Sequence, residues 1–269
     1  MQKKIFTKFL YGVLCVTFLV SLTSCAKKEK TISISGAFAL YPLMVQWAEE
    51  YQKTNNAIRI DVTAGGAGKG MSDTLSGAVD IGMISREIKD EEIAQGAFGI
   101  AVTKDAVFPV VNAQNPYIEK LISQGLSQEI LAKIFISGEI TTWGQALDDP
   151  TITDEIHVYT RSDSAGAAEM WSKFLGGQAQ EDLIGVGISG DPGLLDAVIK
   201  DPQGIGYNNL NYAFDMNSGK PVDGAIVLPI DINQNNLADA DEYLETKEEA
   251  VEAVVNGKYP SPPARVLYL

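Results

Sequence analysis

Strand, small-residue loop and helix follow one another repeatedly along this chain, and the alternation predicts an α/β fold with mixed, mostly parallel sheets covered by helices on both faces. Three observations carry that prediction. Ile32-Ser33-Ile34-Ser35 alternates as a strand that Gly36 breaks ahead of an amphipathic stretch; Ile58 to Val62 alternates again before a glycine run; and Ile156 to Thr160 opens onto Arg161-Ser162-Asp163-Ser164-Ala165-Gly166-Ala167. Parallel sheets of this kind bind ligands beyond the carboxyl ends of their strands, so function is expected in the loops.

Taken in order, Tyr41 to Tyr51 sets Leu43, Trp47 and Tyr51 on one face of a helix. Gly65 to Gly70 is expected as a loop, Met71 to Ala78 as a helix and Asp80 to Ile84 as a third strand. Ala106 to Val111 forms a buried strand interrupted by Pro109, and Leu126 to Ile136 and Ala168 to Leu175 are expected as helices. Gly204 to Tyr207 and Ile226 to Ile230 follow as strands, and Thr246 to Asn256 is an acidic helix stopped by Gly257.

Composition narrows the function classes. The chain has 269 residues, 45% hydrophobic and 21% charged, enough for one large domain or two ordinary lobes and unlike a disordered or fibrous protein. Against 35 acidic residues stand 21 Lys and Arg, a formal charge of -14 that repels nucleic acid and excludes it as a partner. The sole histidine, His157, rules out a His-cluster zinc site, and any His-dependent nucleophile would have to run through it. No catalytic residue is assigned, and an enzyme is not expected.

Lys3, Lys4 and Lys8 precede an apolar run from Phe9 to Val20 that is too short to span a bilayer as a mature helix, the pattern of an export signal over residues 1–24. It closes in Leu22-Thr23-Ser24-Cys25, which resembles the lipobox of bacterial lipoproteins and implies lipidation at Cys25. Cys15 would leave with the leader, so no disulfide framework is possible. Removing the leader takes three lysines and no acid, which makes the mature protein more acidic still, and residues 25–30 suit a tether to the membrane.

Several loops have the chemistry of an anion site. A helix N-terminus preceded by small residues presents unpaired N–H groups and the positive end of the macrodipole. Arg161, at the end of its strand, adds a fork matched to a tetrahedral oxyanion, with Asp163 placed to hold it. Gly65-Gly66-Ala67-Gly68-Lys69-Gly70 is neither a P-loop, because Gly70 follows the lysine, nor a dinucleotide fingerprint. On its own it also fits a tight turn with close packing. Ser85-Arg86 offers a hydroxyl and a second cation, or equally a helix cap followed by a solvated arginine.

Together the segments Ser35 to Tyr51, Ala64 to Met71, Asp80 to Ile88, Lys133 to Gly144, Arg161 to Ala167, Gly204 to Tyr207 and Gly257 to Leu269 resemble, in order, the phosphate-binding proteins of bacterial phosphate ABC transporters. These belong to the wider superfamily of periplasmic binding proteins. The resemblance implies a two-lobed type II fold with a hinge of crossover strands: residues 31–104 as the first lobe, 105–264 as the second, and 265–269 as a return strand. A further helical segment completes the first lobe in that family; the sequence stops before it, which is expected either of a truncated sequence or of a lobe without its final helices. The resemblance places the ligand on Phe38 and Ala39, Ala67 and Gly68, Ser85 with Arg86 beside it, and Arg161, Asp163, Ala165, Gly166 and Ala167. Where the family usually has hydroxyls, this chain has Phe38 or Ala39, Ala67, Ala165 and Ala167. Four lost charged hydrogen bonds would cost roughly 6 to 12 kcal/mol without compensation.

The expected function is therefore a lipid-anchored solute-binding protein of an ABC importer. It would take phosphate or a similar oxyanion between its lobes and deliver it to a permease in the inner membrane. Molybdate, tungstate or sulfate binding, or a degenerate sensor or adhesin, are the alternatives. No cofactor is required, but Asp231, Asn233, Asn235, Asp239 and Glu242 fall at positions 1, 3, 5, 9 and 12 of a twelve-residue loop, the EF-hand calcium spacing. A structural calcium and a plain Asx-rich turn are both compatible with it.

Overall fold

The computed structural model describes residues 30–269, so the leader, Cys25 and the tether up to residue 29 lie outside the described residues. Lys30, assigned to the tether from sequence, already begins strand β1 (Lys30–Gly36). Next come α1 (Tyr41–Thr54), entered through a 3-10 turn at Phe38–Leu40, then β2 (Ile58–Ala64), α2 (Ala67–Leu75), β3 (Ile81–Met83), α3 (Asp90–Ala94) and β4 (Ala101–Asp105). The second lobe runs through β5 (Val107–Asn112), α4 (Ile118–Gln124), β6 (Leu126–Ser127), α5 (Gln128–Ala132), α6 (Trp143–Ala146), β7 (His157–Arg161), α7 (Gly166–Phe174), β8 (Val186–Ile188), α8 (Gly190–Lys200), β9 (Gly204–Asn209), α9 (Leu210–Ala213), β10 (Ala225–Val227), β11 (Ile230–Asp231) and α10 (Lys247–Val255). Strand β12 (Arg265–Tyr268) returns to the first lobe.

Each lobe has its own sheet and core. In the first, β2, β1 and β3 are parallel neighbours; β12 pairs antiparallel with β4 and meets the end of β3 through reciprocal Ile84–Tyr268 backbone hydrogen bonds of 2.9 Å. The second sheet has the order β10-β5-β9-β7-β8, parallel across β9, β7 and β8. Ile34, Leu40, Met44, Met83 and Leu267 centre the smaller core, while Phe108, Phe135, Trp143, Trp171 and Tyr207 centre the larger. Two strands cross between the lobes: the chain leaves through β4 into β5 and returns through β12, as a crossover hinge requires.

Local pattern is overruled in four places. The buried side of α1 is Met44 and Ala48, not Leu43, Trp47 and Tyr51, because the helix follows Leu40 down onto the sheet; Trp47 and Tyr51 stay exposed. Helix α2 begins at Ala67 and absorbs Gly68 and Gly70. Gly70 lies so near β1 and β3 that a Cβ there would sit 2.7 Å from Gly36 Cα and 2.8 Å from Met83 O. Residues 126–136 divide into β6, α5 and a π turn over Lys133–Ser137. Finally, β8 and α8 arise from residues 186–200, for which no element is expected from sequence.

Gly70→Ala is expected to force α2 off the sheet and destabilise the protein by about 1 to 3 kcal/mol. Urea unfolding measures it, and a midpoint equal to wild type would show that the packing can relax.

Candidate oxyanion site

Arg161 is the last residue of β7, in the middle of the parallel part of the second sheet, and its side chain is 1% exposed. Tyr207 on the adjacent β9 locks this strand end: its hydroxyl accepts from Arg161 N at 3.2 Å and shares a 2.8 Å hydrogen bond with Thr160 Oγ1. The guanidinium is held by two carboxylates. Nε and Nη2 donate to Asp163 Oδ1 (2.8 Å) and Oδ2 (2.5 Å), and Nη1 donates to Asp191 Oδ2 (2.5 Å). Burial works against the charge on Arg161, but Asp191 and Asp163 outweigh it and hold the arginine above its ordinary range. Burial likewise opposes ionisation of Asp163, and Arg161 with the Gly190 N–H (2.9 Å) keeps that carboxyl below its usual value.

Asp191 was not singled out from sequence, and it belongs to the α8 segment that sequence reasoning missed. Its Oδ1 accepts from Asn209 N (3.1 Å) and Nδ2 (2.8 Å), and its own carbonyl accepts from Asn208 Nδ2 (2.9 Å). The signal was present in Ser189-Gly190-Asp191-Pro192-Gly193, another small-residue turn between strand and helix with an early proline.

The other mapped residues gather around this pair. The ring of Phe38 lies over Arg161, 5.2 Å from Cζ to centroid, and packs edge-on to Tyr212 at 6.5 Å. Gly190 has φ +74, and a Cβ there would come within 2.8 Å of Phe38 Cζ. Gly68 N donates to Ser164 O at 3.1 Å, and Gly66, at φ +93, lies against Ser164 and Asp163, so the β2 and β7 loops meet across the cleft. Ser85 abuts Gly166 in the same way. Ala39, Ala67, Ser85, Ala165 and Ala167 are all buried. Gln180 clamps the β7 loop by accepting from Ala165 N (2.8 Å) and donating to Asp163 O (3.1 Å). The opening N–H groups of α2 and α7 have no acceptors within their own helices, so two positive helix ends join one cation at the lobe interface.

Arg86 is placed differently from the expectation of a second ligand-side cation. It is buried, with Nη2 and Nη1 on Glu92 Oε1 (2.6 Å) and Oε2 (2.9 Å), and with Nε 3.4 Å from Glu169 of the opposite lobe. Hydrogen bonding to Glu92 overcomes burial and keeps it charged. The two carboxylates spend its fork on bridging the lobes.

In the Asp231 loop, Asp231 accepts from Asn235 N (3.1 Å) and Asn236 N (2.9 Å), and Glu242 from Ile232 N (2.8 Å) and Asp239 N (3.0 Å). Asp239 receives the side-chain amides of Asn233 (2.7 Å) and Asn235 (3.1 Å). Asn236 has φ +58, the left-handed geometry of position 6 in a calcium loop. Among the described residues, no three or more His, Cys, Asp or Glu side chains are grouped to hold a metal ion.

Arg161→Ala would strand two carboxylates in the cleft and is expected to cost about 3 to 5 kcal/mol at neutral pH. In wild type the depressed Asp163 contributes stability above its unfolded pKa, and that contribution is lost as pH falls through the folded value. Without Arg161, burial raises the folded pKa instead, so the variant should recover relative to wild type on acidification. Urea unfolding at neutral and mildly acidic pH tests this; a deficit independent of pH would contradict the assignment.

Residues 23–268 match the family model described as a PBP superfamily domain. Curated relatives include the phosphate-binding protein PstS of Xylella fastidiosa (strain 9a5c), 29% identical over 209 residues, which cover 70% of this chain and 56% of the relative. PstS of Methanocaldococcus jannaschii is 27% identical over 255 residues, covering 79% and 64%. The chain thus spans between half and two thirds of the length of these relatives. Among solved structures, a phosphate ABC transporter substrate-binding protein from Clostridium perfringens, with bound phosphate, superposes with a TM-score of 0.70 at 22% identity, covering 89% of this chain and 85% of that one. An ABC-type phosphate transport receptor from Vibrio cholerae superposes with a TM-score of 0.59 at 22% identity, covering 88% and 85%. With its two sheets, its crossover hinge and its loops meeting on Arg161, this chain belongs to the PBP superfamily.

Proposed function

We propose that the protein is the solute-binding component of an ABC importer, capturing phosphate between its lobes and handing it to a membrane permease. The carrying observation is the meeting of the α2 and α7 N-termini with the buried Arg161 at the interface between lobes. Relatives named as phosphate-binding proteins support the choice of ligand. Export and lipidation at Cys25 are part of the same reading, since a tethered receptor stays beside its permease.

The carboxylates favour phosphate over sulfate. Asp163 and Asp191 accept hydrogen bonds but donate none when ionised, and they leave the cluster with Arg161 one negative charge in excess. An oxyanion carrying a proton can donate to them; fully ionised sulfate has no proton to donate and is repelled by both carboxylates. With alanines in place of hydroxyls, the N–H groups at the helix ends and the remaining Arg161 donors carry the anion. No chemistry on the ligand is involved. His157 opens β7 about 13 Å from Arg161 and pairs with Asp201 Oδ2 (2.7 Å), which also receives Tyr159 OH (2.7 Å).

Thermal unfolding of the soluble chain from Ala26, stripped of phosphate, is expected to shift upward with phosphate and not with sulfate. Ligand at 100 times its dissociation constant adds about 2.7 kcal/mol. A shift with molybdate or tungstate alone would reassign the ligand, and silence with every anion would favour a degenerate sensor. Ala165→Ser, which returns a hydroxyl to the α7 N-cap, should tighten phosphate binding about tenfold by isothermal titration. The calcium reading of the Asp231 loop rests on its spacing and on Asn236; a midpoint raised by calcium and lowered by chelator supports it, and an unchanged midpoint removes it.

A further inference from the structure

Beneath the anion site lies a second buried ion pair, on the crossover strands themselves. Arg265 opens β12 and Asp105 closes β4; both side chains are 5% exposed, with Nη2 3.1 Å from Asp105 Oδ2. Burial pushes the Asp105 carboxyl up and the Arg265 guanidinium down, as for charges held at the middle of the molecule.

Only Nη2 of the Arg265 fork lies on Asp105. Nε donates to the carbonyl of Ser85 (3.1 Å), and Nη2 also donates to Asn209 Oδ1. Nη1 is buried without a hydrogen-bond partner among the described residues. A guanidinium placed for its carboxylate would set two of its nitrogens on it, as Arg161 does on Asp163; this one reaches sideways, to the Ser85 loop of the first lobe and the end of β9 in the second. Asn209 in turn donates to Asp191, and Asp191 holds Arg161. An unbroken chain of polar contacts therefore runs from the Ser85 loop of the first lobe, through the hinge, to the cation of the second.

We propose that Arg265 is a positioning residue that sets the closed geometry of the anion site, by fixing the Ser85 carbonyl on one side and the Asn209–Asp191–Arg161 line on the other. It acts through these groups and touches no ligand. The inference rests on the ligand-capture reading above, but part of its test needs no ligand.

The test is the paired variant Arg265→Gln/Asp105→Asn, which removes both buried charges together and leaves neither unpaired. Phosphate affinity by titration is expected to fall about tenfold or more. Amide hydrogen exchange over residues 84–86 should quicken by about tenfold relative to the core strands of either lobe, with or without phosphate. A purely structural pair would lower the unfolding midpoint without singling out that loop. If the paired variant does not fold, Arg265→Lys keeps a charge beside Asp105 but loses the fork, and the same two changes are expected. Unaltered exchange at residues 84–86 in whichever variant folds overturns the proposal, as does wild-type affinity. Failure of wild-type protein to bind phosphate would sink the phosphate reading, while the exchange measurement would still decide the role of Arg265.

Discussion

A guanidinium taken out of water survives only with charge and hydrogen bonds arranged around it, and the site is built on that constraint at Arg161. Asp163, two residues on, and Asp191, at the head of α8, supply the carboxylates. Each is fixed in turn: Asp163 by the Gly190 N–H, Asp191 by Asn209. The need to satisfy one arginine thereby ties the ends of β7, β8 and β9 into a rigid floor. Phe38 of the first lobe then closes over it.

Closure between the lobes depends on small residues. Gly66 and Gly68 let the β2 loop reach Ser164, Gly166 lets α7 reach Ser85, and Gly70 seats α2 against β1 and β3. The glycine run that superficially suggests a nucleotide loop is a packing device that points one helix end across the cleft. Arg86, bridging Glu92 and Glu169, adds an ionic contact beside it.

Neither the whole molecule nor the charge cluster at Arg161 attracts an anion by net charge, so the attraction has to come from donors at contact. The chain carries a formal charge of -14, so long-range attraction does not bring an anion in. Screening limits that repulsion to about a Debye length, whereas the helix ends and Arg161 act at contact. In the proposed phosphate reading, the carboxylates around Arg161 select for protonation state rather than for charge alone. On that reading, specificity comes from which hydrogen bonds a ligand donates, as well as those it accepts.

The sequence by itself determined the α/β class, the order of strand and helix units, and the position of Arg161 at a strand end, because hydrophobic period and turn residues are local properties. Asp163 as the partner of Arg161 was legible too, since it lies only two positions further along the chain. What it did not contain was any relation between distant segments. The start of α2 at Ala67, the exposed face of α1, the turning of Arg86 to Glu92 and Glu169, and the line from Arg161 through Asp191 and Asn209 to Arg265 all depend on what lies opposite. Burial decides the partners of a charge, and burial is settled only when the sheets, the crossover strands and the two lobes have come together.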